Sequence, residues 1–535
     1  MKNKPYPLYE LPNISDLKDM VRQRASRAPD EIAFSYSGKK SAIINKTNRE
    51  FSDDINRFGT YLYSKGLQNK HISIVAENSY EWLVAFLAIA NGNNVVVPID
   101  YNLSGDKIKE LLTKSDCDAV VASRKIHERL ADCSLHILSI DRFEEYLSNG
   151  DELIRNGDTE YVEHKVDAEK FSAIFFTSGT TGDSKGVMLS HKNIVYDFSA
   201  CRKYAKVTGS IISVLPFYHT FGLIIGVFSV YAYGCTLYIN KDLKRFLSDL
   251  KIAKPTAVAL VPLFVETIYK TIKRNIKAQK KENTIKVAET IGKGFTHMGL
   301  DIRNYLFKAI SETLGGNLQY IVCGGAPLDP NIVDEFRTWG IHIINGYGIT
   351  ECSPVVSLER NHYWKSGSVG QIIEKSEVKI ADDGEILVKG ENVMLGYYRD
   401  EEATKAVIND GWFSTGDLGE IDKDGFLFIT GRKKNLIILS NGENVSPEEL
   451  ESLLLKDENV SEALVYDENN VLVAEIFPED GKIGDEQYFE RLVEQINRQQ
   501  PSYKQINKIK LRDSKFERNT SGKILRDKIG GKTNV

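Results

Sequence analysis

Short apolar, β-branched runs alternate with amphipathic stretches through the first half of the chain. Residues 71–78 and 94–100 are predicted as strands, and the segment between them, 79–92, is predicted as a helix. This alternation is typical of parallel, doubly wound sheets covered by helices, so we expect an α/β fold. Further elements of this kind are a helix at 104–114, a strand at 118–123, a helix ending near 131, and strands at 211–215, 256–261, 319–323 and 341–345.

The pattern changes near residue 377 to short strands separated by Gly-Asp turns, which predicts a β-barrel-like subdomain. After residue 431 the chain predicts a small α+β domain. We place the boundary in the charged segment GRKKN (431–435), giving an N-terminal domain (1–431) and a C-terminal domain (432–535). The elements expected in the C-terminal domain are strands at 461–466, 471–477 and 507–512 and a helix at 485–499.

One further helix of the C-terminal domain has a clear predicted start. In SPEELESLLLK, Ser446 is expected as the N-cap and Pro447 as the first helical residue. Glu449 follows Ser446 by three positions, which predicts a capping box.

Composition excludes several classes of protein. A chain of 535 residues is too long for one core, and 42% hydrophobic with 27% charged residues is ordinary for a globular protein. The net charge of −5 gives no overall attraction to nucleic acid, so we expect no nucleic-acid partner. Six scattered cysteines without a CxxC pair argue against disulfides and zinc. Without an apolar leader, the chain is expected in the cytoplasm.

Two stretches raise the question of membranes. Residues 207–240 contain no Asp, Glu, Lys or Arg, but Pro216, His219 and the glycines at 222, 226 and 234 interrupt them, which favours a buried strand, loop and helix over a spanning helix. Residues 262–290 are basic and helical, with isoleucines at 268, 272 and 276. They predict either a membrane-surface helix at the mouth of a lipid tunnel or a solvated amphipathic helix, and we favour the second. At most peripheral membrane contact is expected.

The segment TSGTTGDSKG (177–186) has the composition of a phosphate-binding loop. Glycines allow close backbone approach, while backbone N–H groups, hydroxyls and a lysine bind phosphoryl oxygens. It is not a Walker A loop, because Ser184 replaces the second required glycine and Gly186 replaces the magnesium-binding hydroxyl. A glycine turn without a ligand is the alternative for this segment alone.

Four further motifs follow in a fixed order. They are INGYGITE (344–351), GWFSTGDLGEIDKDG (411–425) with Asp417 predicted at a turn before a hairpin, ITGRKKNLIILSNGENVSPEELE (429–451) and NTSGKILR (519–526). With the glycine-rich loop, this set of five motifs resembles the AMP-forming adenylate-forming superfamily, which includes acyl-CoA synthetases, peptide-synthetase adenylation domains and luciferases. The resemblance implies that GGAPL (324–328) would run its backbone along the adenine and the acyl pocket. The resemblance extends from about residue 15 to about residue 530.

The resemblance implies a role for each matching residue. Glu351 would bind Mg²⁺ with Thr177, and Thr350 would contact phosphate. Ser184 stands where most members have proline, which we expect to loosen the loop without abolishing binding. The phosphate loop would comprise Thr177, Ser178, Gly179, Thr180, Thr181, Gly182 and Lys185, and the adenine site Gly324, Gly325, Ala326, Asn345, Gly346, Tyr347 and Gly348.

The other implied roles belong to the ribose and to the second half-reaction. Asp417 would bind both ribose hydroxyls, and Arg432 would reach ribose or phosphate. Lys523 would stabilise charge as a carboxylate attacks the α-phosphate. The C-terminal domain would then swing about a hinge at Lys434, bringing Gly442 and Glu443 toward a thiol.

For the acyl group, LPFYHTFG points to a pocket. His219, with Phe221 and Gly222, would line that pocket, although a core histidine satisfied by a hydrogen bond is an equal alternative. The apolar run 223–233 suits a long pocket, and 262–305 resembles bacterial long-chain fatty acyl-CoA synthetases. We therefore expect an acyl-CoA synthetase that uses ATP, Mg²⁺, CoA and a medium- to long-chain fatty acid. Three alternatives stay open: a ligase that loads a carrier protein, an NTP-hydrolysing phosphotransferase, and an inactive binding protein.

Overall fold

The computed structural model describes residues 4–38, 42–131, 133–177, 184–297, 302–439, 444–457, 459–469, 471–518 and 524–526. The strands are β1 (Ile32–Ser37), β2 (Ile43–Thr47), β3 (His71–Val75), β4 (Val95–Pro98), β5 (Ala119–Ala122), β6 (His136–Ser139), β7 (Phe171–Thr177), β8 (Lys185–Ser190), β9 (Ser210–Ser213), β10 (Thr236–Ile239), β11 (Ala257–Leu260), β12 (Tyr320–Cys323), β13 (His342–Gly348), β14 (Val355–Leu358), β15 (Gln371–Ile372), β16 (Glu377–Ile380), β17 (Glu385–Lys389), β18 (Gly396–Tyr397), β19 (Ile408–Asn409), β20 (Trp412–Ile421), β21 (Leu427–Arg432), β22 (Ile437–Ile438), β23 (Asn444–Val445), β24 (Val460–Asp467), β25 (Leu472–Pro478) and β26 (Lys508–Leu511).

The α-helices are α1 (Leu17–Arg27), α2 (Asn48–Ser64), α3 (Tyr80–Asn91), α4 (Gly105–Lys114), α5 (Arg124–Arg129), α6 (Phe143–Arg155), α7 (Glu160–Glu163), α8 (His191–Tyr204), α9 (Val230–Tyr233), α10 (Phe246–Ala253), α11 (Pro262–Ala278), α12 (Glu282–His297), α13 (Arg303–Leu306), α14 (Lys308–Thr313), α15 (Pro330–Thr338), α16 (Glu401–Val407), α17 (Pro447–Leu454) and α18 (Glu486–Asn497). The strands and helices predicted from the alternating pattern are confirmed, with ends that differ by a few residues.

Two large sheets form the body of the protein. One has seven strands in the order β18-β8-β7-β4-β3-β5-β6, with β4, β3, β5 and β6 parallel and β7–β8 an antiparallel pair. The other has nine strands in the order β15-β14-β13-β12-β11-β9-β10-β1-β2, parallel from β13 to β1. Helices α2, α3 and α8 bury their apolar residues in a core that both sheets share. This is the predicted doubly wound α/β architecture.

Two smaller units follow. Strands β16, β17, β20, β19 and β21 form an antiparallel sheet, in the region where the Gly-Asp turns predict a β subdomain. Strands β24, β25 and β26 form a three-stranded sheet that packs with α17 and α18 around a separate core. The small α+β domain expected at the C-terminus is therefore confirmed.

The capping box predicted at Ser446 is wrong. Ser446 is the N-cap of α17 and Pro447 its first residue, but no side-chain cap hydrogen bond forms. The Ser446 hydroxyl donates instead to the Thr430 carbonyl at 3.0 Å, and Glu449 pairs with Lys504 at 2.7 Å. Ser446 thus ties the start of α17 to β21.

The uncharged stretch is largely buried, whereas the basic stretch packs only its apolar face against the protein. Residues 207–240 form β9, a loop, a π-helix at Phe221–Ser229 that continues as α9, and β10. The basic stretch forms α11 and α12, and Ile272 is 4% exposed in a second core against which Ile268 and Ile276 also pack. The isoleucine stripe of α11 therefore faces protein, as the amphipathic interpretation predicts. Among the described residues, none of the helices combines the length and apolar character needed to cross a membrane.

Candidate active site

Side chains from two strands donate hydrogen bonds to one carboxylate on a third strand. Asp417 on β20 lies opposite Arg432 on β21, and Arg432 Nε donates to its Oδ1 at 2.6 Å. The Tyr347 hydroxyl, from the end of β13, donates to Asp417 Oδ2 at 2.8 Å. Burial, with the charge of Asp417 adding to it, raises the pKa of Tyr347 well above its usual value, so the hydroxyl stays protonated. The residues expected at the adenine and the ribose are thus hydrogen-bonded to each other, and Arg432 joins them.

The turn predicted at Asp417 is wrong. Asp417 is 4% exposed and lies inside β20, a ten-residue strand. Gly416 has φ +70°, and the register between β20 and β17 shifts there, because Leu418 pairs with Glu385 while Ser414 pairs with Leu387. A bulge adds a residue to one strand and re-aims the neighbouring side chains. The glycine that suggests a turn in the sequence therefore marks an irregularity within a continuous strand.

Glu351 lies in a short 3₁₀ turn, Thr350–Cys352, directly after β13. Its Oε1 accepts a hydrogen bond from the Tyr397 hydroxyl at 3.0 Å, and burial raises the pKa of its carboxyl group. In the part of the chain that the structure describes, no group of three or more His, Cys, Asp or Glu side chains could hold a metal. Mg²⁺ typically takes one or two carboxylates together with substrate phosphates, so a single buried carboxylate fits this ion.

The two ends of the glycine-rich loop are fixed by a hairpin. Thr177 ends β7 and pairs with Lys185 at the start of β8. Lys185 Nζ lies 4.8 Å from the centroid of the Tyr397 ring, and Tyr397 in turn binds Glu351. Lys185, at the end of the loop, is therefore linked through Tyr397 to the expected metal ligand. Ser178, Gly179, Thr180, Thr181 and Gly182 lie outside the described residues.

The GGAPL motif lies against the nucleotide and acyl motifs. A Cβ on Gly324 would be 3.2 Å from the Gly346 carbonyl oxygen and 3.8 Å from Phe221 Cζ. Gly325 has φ +91°, so the chain turns sharply there before Ala326. Because any side chain at Gly324 would press on β13, glycine permits this close approach.

His219 stands at the entrance to the apolar helix. It is half-buried, and its ring centroid is 4.6 Å from that of Tyr218. A Cβ on Gly222 would be 2.2 Å from the Pro216 carbonyl oxygen, so the loop carrying His219 folds tightly onto the helix start. π-helical turns are rare and frequently occur at functional sites. Both interpretations of His219 remain compatible with this position.

Two residues beside the site, Tyr397 and Glu359, lie outside the sequence motifs. Tyr397 contacts both Glu351 and Lys185, and its only signal is an aromatic pair after Gly396. Glu359 follows β14 and accepts from the Asn345 backbone N–H at 3.0 Å while pairing with Arg337 at 2.7 Å. These side chains come from segments with no recognisable spacing to the motifs, so only the fold brings them to the site.

The segment that carries Lys523 is fixed at both of its described ends. Lys523 itself, Gly442 and Glu443 lie outside the described residues. Arg518 and Ile524 form an antiparallel bridge, and Arg526 Nη2 is 2.5 Å from Glu451 Oε2 on α17. The arginine of the NTSGKILR motif is therefore an anchor to the body of the C-terminal domain.

The linker between the domains is anchored to the N-terminal domain through Lys433. Lys433 Nζ lies 2.6 Å from Asp383 Oδ2 and 2.8 Å from Glu385 Oε2, both in the β16–β17 hairpin region. Lys434 follows immediately in the 3₁₀ turn Lys433–Asn435. The hinge predicted at Lys434 thus adjoins a residue that is anchored by two carboxylates.

Comparison with known proteins agrees with this geometry. Residues 21–398 match the AMP-binding enzyme family, and residues 434–532 match the AMP-binding enzyme C-terminal domain. A long-chain-fatty-acid–CoA ligase from Mycobacterium bovis, FadD15, is 31% identical over 448 residues, covering 78% of this chain and 74% of the relative. Long-chain-fatty-acid–CoA ligase 5 from Rattus norvegicus is 28% identical over 530 residues, covering 89% and 77%.

A solved structure shows the same fold. The o-succinylbenzoate CoA synthetase of Bacillus subtilis, in complex with its acyl-adenylate intermediate, superposes with a TM-score of 0.75 at 23% identity. The match covers 96% of this chain and 98% of that one. The chain therefore belongs to the AMP-binding enzyme family, within the acyl-CoA ligases of the adenylate-forming superfamily.

Proposed function

We propose that the protein activates a medium- to long-chain fatty acid with ATP and transfers the acyl group to CoA. The observation that carries the proposal is the meeting of Tyr347, Asp417 and Arg432 at one buried carboxylate, beside Glu351 and the ends of the glycine-rich loop. An adenylation reaction needs these groups: a hydrogen-bond acceptor for the ribose hydroxyls, an aromatic face for the base, a metal ligand, and hydrogen-bond donors to the phosphate oxygens.

In the first half-reaction, a carboxylate oxygen attacks the α-phosphorus of ATP. A new P–O bond forms, the bond to the β-phosphate oxygen breaks, and pyrophosphate leaves. Glu351 and Thr177 would hold Mg²⁺, which neutralises phosphate charge when bound. Lys185 and Arg432 would hold the phosphates, and Lys523 would stabilise the charge that develops in the transition state.

In the second half-reaction, the CoA sulfur attacks the acyl carbonyl carbon. The C–S bond forms, the bond to the AMP oxygen breaks, and the thiol proton is released. Rotation at Lys434 would replace Lys523 by the segment containing Gly442 and Glu443. The anchoring of Lys433 to Asp383 and Glu385 supports a pivot placed just after it.

A fatty acyl chain is supported by the apolar helix and by the relatives' names. The helix from Phe221 to Ser229 is almost wholly apolar and buried. A Cβ on the buried Gly226 would lie 3.7 Å from the Phe221 carbonyl oxygen and 4.0 Å from Ala259 Cβ, which are ordinary van der Waals distances. The relatives are named long-chain-fatty-acid–CoA ligases.

A panel of carboxylic acids in a pyrophosphate-release assay, with and without CoA, tests this function. We expect release with acids of medium to long chain, and AMP and acyl-CoA formation only when CoA is present. Turnover with a carrier-bound phosphopantetheine but not CoA would favour the carrier-loading alternative. ADP and phosphate as products, or no pyrophosphate with any acid, would contradict the proposal. Lys523→Ala should abolish adenylation while sparing thioester formation from pre-made acyl-adenylate.

A further inference from the structure

Tyr397 is held rigidly at the edge of the seven-stranded sheet. Its strand β18 pairs antiparallel with β8, with Tyr397 opposite Val187. Its backbone N–H donates to the Thr404 hydroxyl at 2.9 Å, and the next residue, Tyr398, donates to the Gly186 carbonyl at 2.8 Å. With 7% of its surface exposed, Tyr397 has little freedom to move.

The side chain contacts two groups that come from different sheets. Its hydroxyl donates to Glu351 Oε1 at 3.0 Å, and Glu351 follows the nine-stranded sheet. Lys185 Nζ lies 4.8 Å from the centre of its ring, and Lys185 begins β8 of the seven-stranded sheet. One side chain therefore spans the seam between the expected metal ligand and a cation of the phosphate loop.

A purely structural role would not need the hydroxyl. A phenylalanine would fill the same buried space and keep the ring beneath Lys185. Placing a hydroxyl there requires a hydrogen-bond partner, because an unpaired buried polar group is costly. The partner used is the one carboxylate expected to bind the metal, and the hydrogen bond fixes the rotation of that carboxylate.

We propose that Tyr397 is a positioning residue that sets the distance and orientation between Glu351 and Lys185, and through them the affinity for magnesium–nucleotide. This inference rests on the proposed function, because it assigns the metal to Glu351 and phosphate to Lys185. The hydroxyl acts on the metal ligand, and the ring acts on the lysine. The two contributions are therefore separable by substitution.

Two variants make that separation. Tyr397→Phe removes the hydrogen bond to Glu351 and keeps the ring, so the Mg²⁺ concentration for half-maximal binding of a fluorescent ATP analogue should rise about three- to tenfold. Tyr397→Leu also removes the cation–π contact, so it should further weaken binding of the analogue without Mg²⁺. Binding is measured by fluorescence anisotropy without carboxylic acid or CoA, and thermal denaturation verifies folding.

Tyr398→Phe is the matched control. The Tyr398 hydroxyl donates to Asp116 Oδ2 at 2.7 Å, so this neighbouring variant also loses a hydrogen bond to a carboxylate, but away from Glu351. Its Mg²⁺ dependence should equal that of the wild type. If Tyr397→Phe folds and also equals the wild type, the positioning role is refuted while the proposed function stands.

A double-mutant cycle provides a second test if Tyr397→Phe lowers stability. In a Glu351→Gln background, Tyr397→Phe should cause no further loss of analogue affinity, because the residue acts through Glu351. Additive losses would overturn the proposal. Failure of the wild-type protein to bind the analogue at any Mg²⁺ concentration would instead reject the proposed function.

Discussion

Arg337 and Glu359 form a buried ion pair beside β13. Arg337 Nη2 lies 2.7 Å from Glu359 Oε2, and their side chains are 7% and 0% exposed. The same carboxylate oxygen accepts from the Asn345 backbone N–H at 3.0 Å, while the Glu359 N–H donates to the Asn345 carbonyl at 2.9 Å. Glu359 therefore holds both sides of the Asn345 backbone, and Arg337 holds Glu359.

The first prediction concerns the asymmetry of this pair. Glu359→Gln leaves the buried Arg337 guanidinium with only the exposed Asp334, at 3.5 Å, as a counter-ion, and arginine cannot lose its proton. Arg337→Met leaves a carboxyl group that can be neutralised by protonation. We expect Glu359→Gln to lower the free energy of unfolding by about 3 kcal/mol, and Arg337→Met to lower it by less. Chemical denaturation at pH 7 measures both.

The double variant and the kinetics complete this test. Arg337→Met/Glu359→Gln should regain part of the stability lost in Glu359→Gln, because no unpaired buried charge remains. Since Asn345 is expected at the adenine, Glu359→Gln should raise the KM for ATP more than the KM for the fatty acid. Equal stability of the two single variants would contradict the asymmetry, and unchanged KM values would leave the pair with a structural role alone.

A second prediction follows from the contacts of Asp417. Asp417→Ala removes the acceptor proposed for the ribose and leaves Arg432 and Tyr347 without their shared partner. The KM for ATP should rise about tenfold or more, since hydrogen bonds to a charged group contribute about 1.5–3 kcal/mol. Steady-state kinetics at saturating fatty acid and CoA provide the measurement.

Glu420→Ala is the control for Asp417→Ala. Glu420 lies on the same strand β20 but is exposed, so its removal should leave the KM for ATP unchanged. A KM for ATP that is equal in both variants and the wild type would argue against ribose binding by Asp417.

The sequence motifs predict which residues belong to the candidate site, but not how these residues are held in place. Asn345, Tyr347 and Asp417 are recognisable because their motifs have characteristic letters and order. Their partners are not, because Glu359, Arg337 and Tyr397 reach the site only through the pairing of β13 with β14 and of β18 with β8. Long-range contacts of this kind leave no local pattern in a single sequence.

Short sequence motifs also predict the wrong local structure where contacts with distant strands determine it. The sequence around Gly416 and Asp417 is typical of a turn, yet pairing with β17 and β21 keeps this segment in a strand, with Gly416 in a bulge opposite β17. Ser446 has the spacing of a capping box, yet the Thr430 carbonyl takes its hydroxyl. In both cases a neighbouring strand supplies the stronger hydrogen-bond partner. Local sequence propensity cannot predict a partner that lies far away in the sequence.

A third prediction compares two glycines of the apolar helix. Alanine usually favours a helix over glycine by about 0.5–1 kcal/mol. At Gly222 the added Cβ would meet the Pro216 carbonyl oxygen at 2.2 Å, so Gly222→Ala should displace the loop carrying His219 and lower stability. At Gly226 the nearest atom would be 3.7 Å away, so Gly226→Ala should be neutral or stabilising.

Gly226 also provides a test of where the acyl chain binds. If the acyl chain ends beside Gly226, Gly226→Leu should shift the preferred fatty acid to a shorter chain without changing the KM for ATP. Thermal unfolding and a chain-length series of fatty acids provide the two measurements. Unchanged chain-length preference in a folded Gly226→Leu protein would place the acyl chain elsewhere.

The last prediction is a pH dependence set by His191. The buried imidazole accepts at Nδ1 from the Leu17 backbone N–H at 3.2 Å, and its Nε2 lies 3.1 Å from the Ala90 carbonyl oxygen. These partners require a neutral ring protonated at Nε2, and burial lowers the pKa of His191 below its usual 6.5. Protonation at Nδ1 would break the bond to Leu17 and place a charge in the core.

The sign follows from the proton balance. Because the folded pKa is lowered, the unfolded chain binds more protons below pH 6.5, so stability falls as the pH decreases through that value. The slope from this one group approaches about 1.4 kcal/mol per pH unit. If His191→Gln is less stable than the wild type at pH 8, the denaturant midpoints of the two proteins should therefore converge as the pH falls from 8 to 5. A constant difference across that range would show that His191 does not titrate with unfolding.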